Sequence, residues 1–488
     1  MFSLLITSIF FLMRNGMKQR IIGRVQEQQI LEELYASSFS EFVAVYGRRR
    51  VGKTFLVREC LEGKLTFAVS GLANSNKAMQ LENFRNSLVR AGAIASRSFE
   101  NWQEAFESLI GFLLASKKRR KVVFLDELPW MDTPKSDFIS ALEGFWNGWA
   151  SGRHDILLVV CGSATSWMMN KLIKNHGGLH NRLTRQIHLQ PFTLAETKQF
   201  LHGRHIDLSP YELSVCYMVF GGIPYYLNLL DASQSLSQNI DSLLFRQNGE
   251  LHYEFDNLYA ALFRNSQDYV KVVQALGARR GGMTRHEIQE AVKFSSGGAF
   301  STILENLEHC GFIRQYPSMG TGRKTAVFQL VDFFTLFYLH FLKDNPRRPS
   351  NFWQSIQGTS VFYAWAGLTF ELLVMQHIEQ VKQRLGIQGV QSQEYACRIQ
   401  DGTAGKAQID LVIDRKDNTV SVCEVKFTEG SYVFSQEEEL KLRNRLHAIR
   451  GVFPMHKSVQ LVLITTFGIA GGNGRGIVNQ EVTLQDLL

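Results

Sequence analysis

Unbroken apolar runs punctuate the first third of the chain: Phe42-Val43-Ala44-Val45-Tyr46, Val122-Val123-Phe124-Leu125 and Ile156-Leu157-Leu158-Val159-Val160-Cys161. A run without polar alternation predicts a strand covered on both faces, hence a parallel sheet sandwiched by helices. Helical stretches are expected at 55–62 and 103–116. Gly221-Gly222-Ile223-Pro224-Tyr225-Tyr226-Leu227 breaks a helical region, as if a small lid packs there. Beyond about residue 265 the period changes. Tyr269, Val270, Val272, Val273 and Leu276, then Thr284 as N-cap of 286–292, then 301–309 with Ile303, Leu304 and Leu307, predict three short helices. Phe312-Ile313-Arg314-Gln315-Tyr316 and Ala326-Val327-Phe328-Gln329-Leu330 flank Gly320-Thr321-Gly322-Arg323-Lys324 as a hairpin, which with the three helices makes a winged helix. Such a module either binds DNA through a recognition helix from Ser295 to Asn306 or packs against its neighbours. Farther on, Ala407-Gln408-Ile409-Asp410-Leu411-Val412-Ile413 alternates as a strand, and Asp417-Asn418 turns the chain. Ser421-Val422-Cys423-Glu424-Val425-Lys426-Phe427 returns, and 459–464 forms a later strand.

Composition adds bounds. With 488 residues, 45% hydrophobic and 20% charged, the chain has material for several domains and reads as a soluble, cytoplasmic protein. The expected division is 1–19 as an extension, 20–192 as the α/β core, 193–262 as the lid, 263–345 as the winged helix and 346–488 as a C-terminal α/β domain. A net charge of +8 permits an anionic partner, DNA or RNA, without demonstrating one. The cysteines, at 60, 161, 216, 310, 397 and 423, form no C-x-x-C pair and read as reduced thiols. His176 and His180 are separated by Gly177-Gly178, which argues against a shared metal-binding face. The apolar run 2–13, ahead of Arg14, falls short of the ~20 residues that span a bilayer and lacks a basic n-region and a small-residue cleavage site. An upstream start codon accounts for it, and no stable membrane association is expected. The basic run 117–121 is expected to be a solvated helix end.

The first candidate site is Gly47-Arg48-Arg49-Arg50-Val51-Gly52-Lys53-Thr54, followed by Phe55 at the start of a helix. A strand, a glycine loop and a helix N-terminus aim backbone N–H groups at one point, which suits a polyphosphate. Lys53 would reach the β- and γ-phosphates and Thr54 would hold Mg²⁺. Asp126, at the tip of the second strand, would hold Mg²⁺ through water, and Glu127 would deprotonate the attacking water. Ser163, at the tip of the third, would sense the γ-phosphate. Arg182 and Arg185 would stabilise transition-state charge, in cis or from a neighbouring subunit of a homo-oligomer. The second candidate site pairs Asp410 with Glu424 and Lys426, and adds Glu371 from the preceding helix. These would hold a divalent metal against a phosphodiester, unless they are a salt-bridged hairpin only.

Together, Ile22-Gly23-Arg24 with Glu27, Tyr46-Gly47 to Thr54, Leu125-Asp126-Glu127, Gly162-Ser163, Arg182-Leu183-Thr184 and Gly222-Ile223-Pro224-Tyr225 resemble the AAA-type P-loop ATPases. More specifically, they resemble the archaeal-type ATPase family related to the signal-transducing (STAND) NTPases. In that family these positions are adenine-side contacts, phosphate loop, Walker B acids, sensor, arginine and lid, working on ATP with Mg²⁺. The glycine usual before Arg182 is replaced by Asn181. Residues 360–470 resemble the PD-(D/E)XK nuclease fold found at the C-terminus of this family. The resemblance implies an α/β protein: a P-loop NTPase parallel sheet with helical lid, winged helix and restriction-endonuclease-like domain. Its function would be an ATP-hydrolysing switch whose nucleotide state controls a nucleic-acid-directed, Mg²⁺-dependent nuclease. The alternative is a nucleotide-gated DNA-binding or scaffold protein with a dead nuclease fold.

Overall fold

The computed structural model describes residues 21–94, 97–174, 177–179, 181–263, 265–279, 281–294, 297–317, 326–343, 348–401, 405–471 and 473–488, without the side chains of 317, 396–401, 405–408, 473 and 474. The expected extension 1–19, His176 and His180 lie outside these residues, as do Ser295 and the tip of the expected hairpin.

The strands β1 (Glu41–Tyr46), β2 (Leu65–Ser70), β3 (Lys121–Asp126), β4 (Ile156–Gly162) and β5 (Arg185–His188) form one parallel sheet in the order β2-β3-β4-β1-β5. The apolar runs have no polar alternation because both faces are covered. Val43, Val45, Val122, Phe124, Leu157, Val159 and Cys161 pack with Leu56 and Val57 of helix Lys53–Cys60 on one side. Phe42, Ala44, Val123, Leu125, Leu158 and Val160 pack with Phe84, Trp102, Phe106, Leu109 and Phe138 on the other. Each such side chain gains about 1.5–3 kcal/mol on leaving water, so a polar residue in β3 or β4 would be costly. The strand β2 has no counterpart in the apolar-run reading. It sits at the sheet edge and is half-buried along much of its length, so its sequence Leu65-Thr66-Phe67-Ala68-Val69-Ser70 is mixed.

The basic run differs from expectation. Helix Trp102–Ala115 ends before it, and Arg120 is buried, donating from Nη1 to the carbonyls of Phe39 (2.7 Å) and His154 (3.1 Å) and from Nη2 to that of Leu34 (2.9 Å). Lys121 opens β3 and pairs with Asp155 at 2.6 Å. Both cations close the N-terminal end of the sheet, where loop carbonyls would otherwise lack donors.

Beyond β5 the chain is helical. Helices Leu194–His202 and Pro210–Phe220 both begin with capping boxes, Thr193 with Glu196 and Ser209 with Glu212. Gly222 follows at φ 64°, where an added Cβ would lie 2.3 Å from the Phe192 carbonyl. Helices Ser266–Gly277, Arg285–Val292 and Gly297–His309 then precede a small sheet of β6 (Met283–Thr284), β7 (Ile313–Pro317) and β8 (Ala326–Leu330), in the order β6-β8-β7. Thr284 caps its helix as the sequence indicates. An aromatic cluster of Phe337, Phe341, Trp353, Phe362 and Trp365 carries the core onward into helix Ser360–Gln376.

The C-terminal sheet runs β13-β12-β11-β10-β9, from β9 (Ser392–Asp401), β10 (Gly405–Arg415), β11 (Thr419–Lys426), β12 (Ser458–Thr465) and β13 (Gln480–Thr483). The first three pair antiparallel and the last three parallel. Helix Gln436–Arg450, opened by a Ser435–Glu438 capping box, makes the crossover from β11 to β12. Among the described residues no single helix is long and apolar enough to cross a membrane. Cys60, Cys161, Cys216, Cys310 and Cys423 are free thiols, as expected.

Candidate nucleotide site and a second carboxylate cluster

Because β4 lies between β1 and β3, the loop after β1, the acids after β3 and Ser163 after β4 meet at one edge of the sheet. The loop is tight. Gly47 takes φ 144°, and a Cβ there would come within 2.3 Å of the Leu189 carbonyl oxygen, so only glycine fits. Gly52, at φ 92°, has nothing within 4 Å of an added Cβ, which leaves the mouth of the loop open to a ligand. Lys53 is buried and donates from Nζ to the carbonyls of Gly47 (3.0 Å) and Arg48 (2.9 Å), so its ammonium sits at the centre of the loop.

The Thr54 hydroxyl donates to both oxygens of Asp126, at 3.1 and 3.0 Å. Ser70, opposite Asp126 in the β2–β3 register, donates to the same carboxylate at 3.1 Å, and the Glu127 N–H adds a bond of 3.0 Å. Burial, then the neighbouring Glu127, pushes the Asp126 carboxyl above the ordinary aspartate value. Glu127 itself adopts the left-handed conformation, φ 47°, which turns its side chain across the sheet edge to Ser163. The Ser163 hydroxyl lies 3.0 and 2.8 Å from its two carboxylate oxygens, and the Ser163 N–H donates at 3.3 Å. The structure therefore brings Gly47 to Thr54, Asp126, Glu127 and Ser163 together. Ser70 was not legible, since the strand that carries it was not.

The arginines go elsewhere. Arg185 pairs with Val43, three positions before the end of β1 at Tyr46, about 10 Å from the phosphate edge at ~3.3 Å per residue. The Thr184 N–H donates to the Phe42 carbonyl at 2.8 Å, which holds the Arg182-Leu183-Thr184 segment at the opposite end of β1 from the loop. Both arginines are exposed. A role in cis is thus not what their position supplies. Arg24 is likewise committed: its N–H donates to Glu196 (3.0 Å), its Nη2 to the Gln190 carbonyl (2.5 Å), and its guanidinium lies 4.7 Å over Phe192. Two arginines of the phosphate loop are paired with acids from downstream elements. Arg48 forms a buried two-pronged pair with Asp332, and Arg50 meets Glu254 at 2.6 Å.

In the second cluster, a register shift in the β9–β10 pairing between Ile409 and Val412 falls at Asp410 and re-aims its side chain. Asp410 accepts from the Val425 N–H at 3.0 Å. Burial, then the charge of Glu424, raises its carboxyl from 3.8 to about 6. Glu424 is buried and receives Arg445 Nη1 on both oxygens, at 2.8 and 2.7 Å, with Lys426 Nζ at 2.8 Å. Arg445, from the crossover helix, was not anticipated. Its Ser435-Gln436-Glu437-Glu438 capping signature was the available signal. Glu371 does not complete a ligand set: among the described residues no three His, Cys, Asp or Glu side chains come close enough to share a metal. The Glu424 oxygens are in addition turned to cations.

Residues 22–230 match the family described as "ATPase domain predominantly from Archaea". An uncharacterized protein of Methanocaldococcus jannaschii is 24% identical over 326 residues, 66% of this chain and 69% of its own length. The Walker-type ATPase of Pyrococcus abyssi superposes with a TM-score of 0.47 at 17% identity, over 67% of this chain and 99% of that one. The Aeropyrum pernix ORC2 protein gives 0.42 at 14%, over 74% and 98%. The segment that matches this family description carries the loop, the paired acids and the serine.

Proposed function

We propose that this chain is an ATP-hydrolysing switch in which Lys53, Thr54, Asp126, Glu127 and Ser163 are the working residues. The observation that carries the reading is the convergence of the Thr54–Asp126–Ser70 and Ser163–Glu127 hydrogen bonds beside a buried Lys53 at one sheet edge. The residues fit Mg-ATP. The hard oxygens of Thr54 and Asp126 are of the kind Mg²⁺ takes, and the open mouth at Gly52 leaves room for phosphate oxygens. Thr54 and Asp126 would hold the ion, which would supply neutralisation of phosphate charge. Lys53 exchanges the loop carbonyls for those phosphates, Glu127 takes the proton of the attacking water, and Ser163 holds the Glu127 carboxylate in line.

Downstream, the three helices and β7–β8 support a winged helix that packs rather than reads DNA. Helix Gly297–His309 buries Phe300, Ile303, Leu304 and Leu307, packs against helix Thr165–Met168 just after Ser163, and exposes Glu305 and Glu308. Acids on the outer face repel phosphate.

The C-terminal sheet with its crossover helix supports a restriction-endonuclease-like fold, in which Asp410, Glu424 and Lys426 are the candidate nuclease residues. The donor set does not fit a resident divalent ion while Arg445 and Lys426 hold Glu424. This favours the scaffold form of the switch, with the domain as a nucleotide-controlled arm. The test is phosphate release by the full chain with Mg²⁺, with chelator, and with added DNA or RNA, while cutting of the same nucleic acids is followed. Mg²⁺-dependent release without cutting is expected. Cutting that Asp410→Asn abolishes would restore the nuclease, and absence of phosphate release would remove the switch.

A further inference from the structure

The ATPase match ends at residue 230, yet the phosphate loop is held from beyond it. Arg48 and Asp332 are 6% and 2% exposed and joined by two contacts, the second at 3.2 Å, while the Arg48 guanidinium lies 5.0 Å over the Phe312 ring. Burial alone would lower the pKa of Arg48, but the Asp332 carboxylate raises it. Asp332 is itself fixed as the N-cap of helix Phe333–Phe341, accepting from the Thr335 N–H at 2.9 Å. The carbonyl of this same Arg48 receives Lys53 Nζ. Two residues on, Arg50 sits at φ 72°, a left-handed conformation that a non-glycine residue holds only where the surroundings enforce it. Its guanidinium meets Glu254 and stacks 4.1 Å over Tyr225, while Glu254, 2% exposed, also accepts from the Tyr226 hydroxyl at 2.8 Å.

We infer that Asp332 and Glu254 are positioning residues for the phosphate loop, setting the carbonyl cradle of Lys53 through Arg48 and the strained turn through Arg50. The inference rests on the reading of this loop as the ATP site. One buried and one half-buried ion pair behind a single loop are not explained by stability, since apolar residues of similar volume commonly serve as well. They do fix geometry. Because both acids belong to the lid and to the segment after the small sheet, the ATP site is complete only when those elements are docked. By reciprocity, nucleotide binding then favours the docked arrangement by the same factor.

The test uses full-length variants, with thermal midpoint, Mg-ATP affinity and turnover measured on each. Arg48→Met and Asp332→Leu should each lower the midpoint, because each strands a buried charge. Combined, they should recover it while turnover stays at least about tenfold below wild type. A purely structural pair would give the other result, turnover returning with the midpoint, and that overturns the role of Asp332. Glu254→Gln keeps the acceptor for Tyr226. It should fold normally with turnover reduced several-fold and weaker ATP binding, and wild-type kinetics there overturn the role of Glu254. Lys53→Ala is the control: if wild type and Lys53→Ala bind and hydrolyse alike, the ATP-site reading itself fails and the inference falls with it.

Discussion

Ser163 gives its hydroxyl to Glu127 rather than to a backbone group, and Thr54 and Ser70 give theirs to Asp126, so each carboxylate has its own oriented donors. Ser163→Ala should therefore leave ATP binding intact and slow turnover by roughly tenfold or more, as a general base loses its alignment. Equal turnover in this variant, measured by phosphate release, would mean that the Ser163–Glu127 bond is incidental. At the second cluster the pKa direction gives a stability prediction. The Asp410 carboxyl is raised to about 6, so the native state holds a proton that the unfolded chain, near 3.8, releases. Its contribution to stability is full below the unfolded value and is lost as pH rises through about 6. Asp410→Asn, which mimics the protonated form, should raise the thermal midpoint at pH 7.5 (about 1.5 pH units above that pKa) and lose this advantage near pH 4 (about the unfolded value). Destabilisation by the same change at neutral pH would contradict the account of an uncomfortable buried charge.

At the scale of elements, legibility follows burial. β1, β3 and β4 were readable because both faces are covered and the sequence records it as unbroken apolar runs. β2 and β9 were not, the first being a half-exposed edge strand and the second opening on polar residues, Ser392-Gln393-Glu394. The hydroxyl of Ser70 went unread with its strand. The convergence of the phosphate loop and the acids was legible because their pattern is local in sequence. Arg445, Glu254 and Asp332 were not, because each acts across a long sequence separation on a partner that only the fold brings near. For a role in cis, position overrides type at Arg182 and Arg185: they are the right residues for charge stabilisation, but they lie at the far end of β1 from the loop of their own chain. The junction between core and lid offers an element-scale test. Gly222 accepts from the Phe192 N–H at 2.8 Å and takes φ 64°. Gly222→Ala must displace the Phe192 carbonyl, so a loss of about 2–4 kcal/mol is expected. A thermal or urea midpoint within error of wild type would show that the junction is soft.

Across the whole molecule the ATPase domain shares its core with the downstream helices and the C-terminal sheet. Tyr217 meets Phe333 edge-on at 5.4 Å, Tyr226 packs on Phe334 at 4.9 Å, and Tyr211 stacks on Phe427 at 5.0 Å, next to Lys426. A fragment confined to 22–230 would expose these rings and strand the Arg48 guanidinium. It should be aggregated or molten by size-exclusion and near-ultraviolet circular dichroism, whereas a soluble, folded and fully active fragment would show that the downstream elements are passengers. In the proposed switch, the same continuity would give a nucleotide-driven change at the sheet edge a packed route to the C-terminal cluster. The proposed switch depends on hydrolysis at Lys53 and Glu127. The most direct measurement is Mg²⁺-dependent phosphate release by wild type and Glu127→Gln, with ATP affinity determined on the same samples. The account predicts affinity within about threefold and turnover lower by at least about a hundredfold in the variant. Equal turnover in the two proteins, or Mg²⁺-independent turnover in wild type, would contradict it.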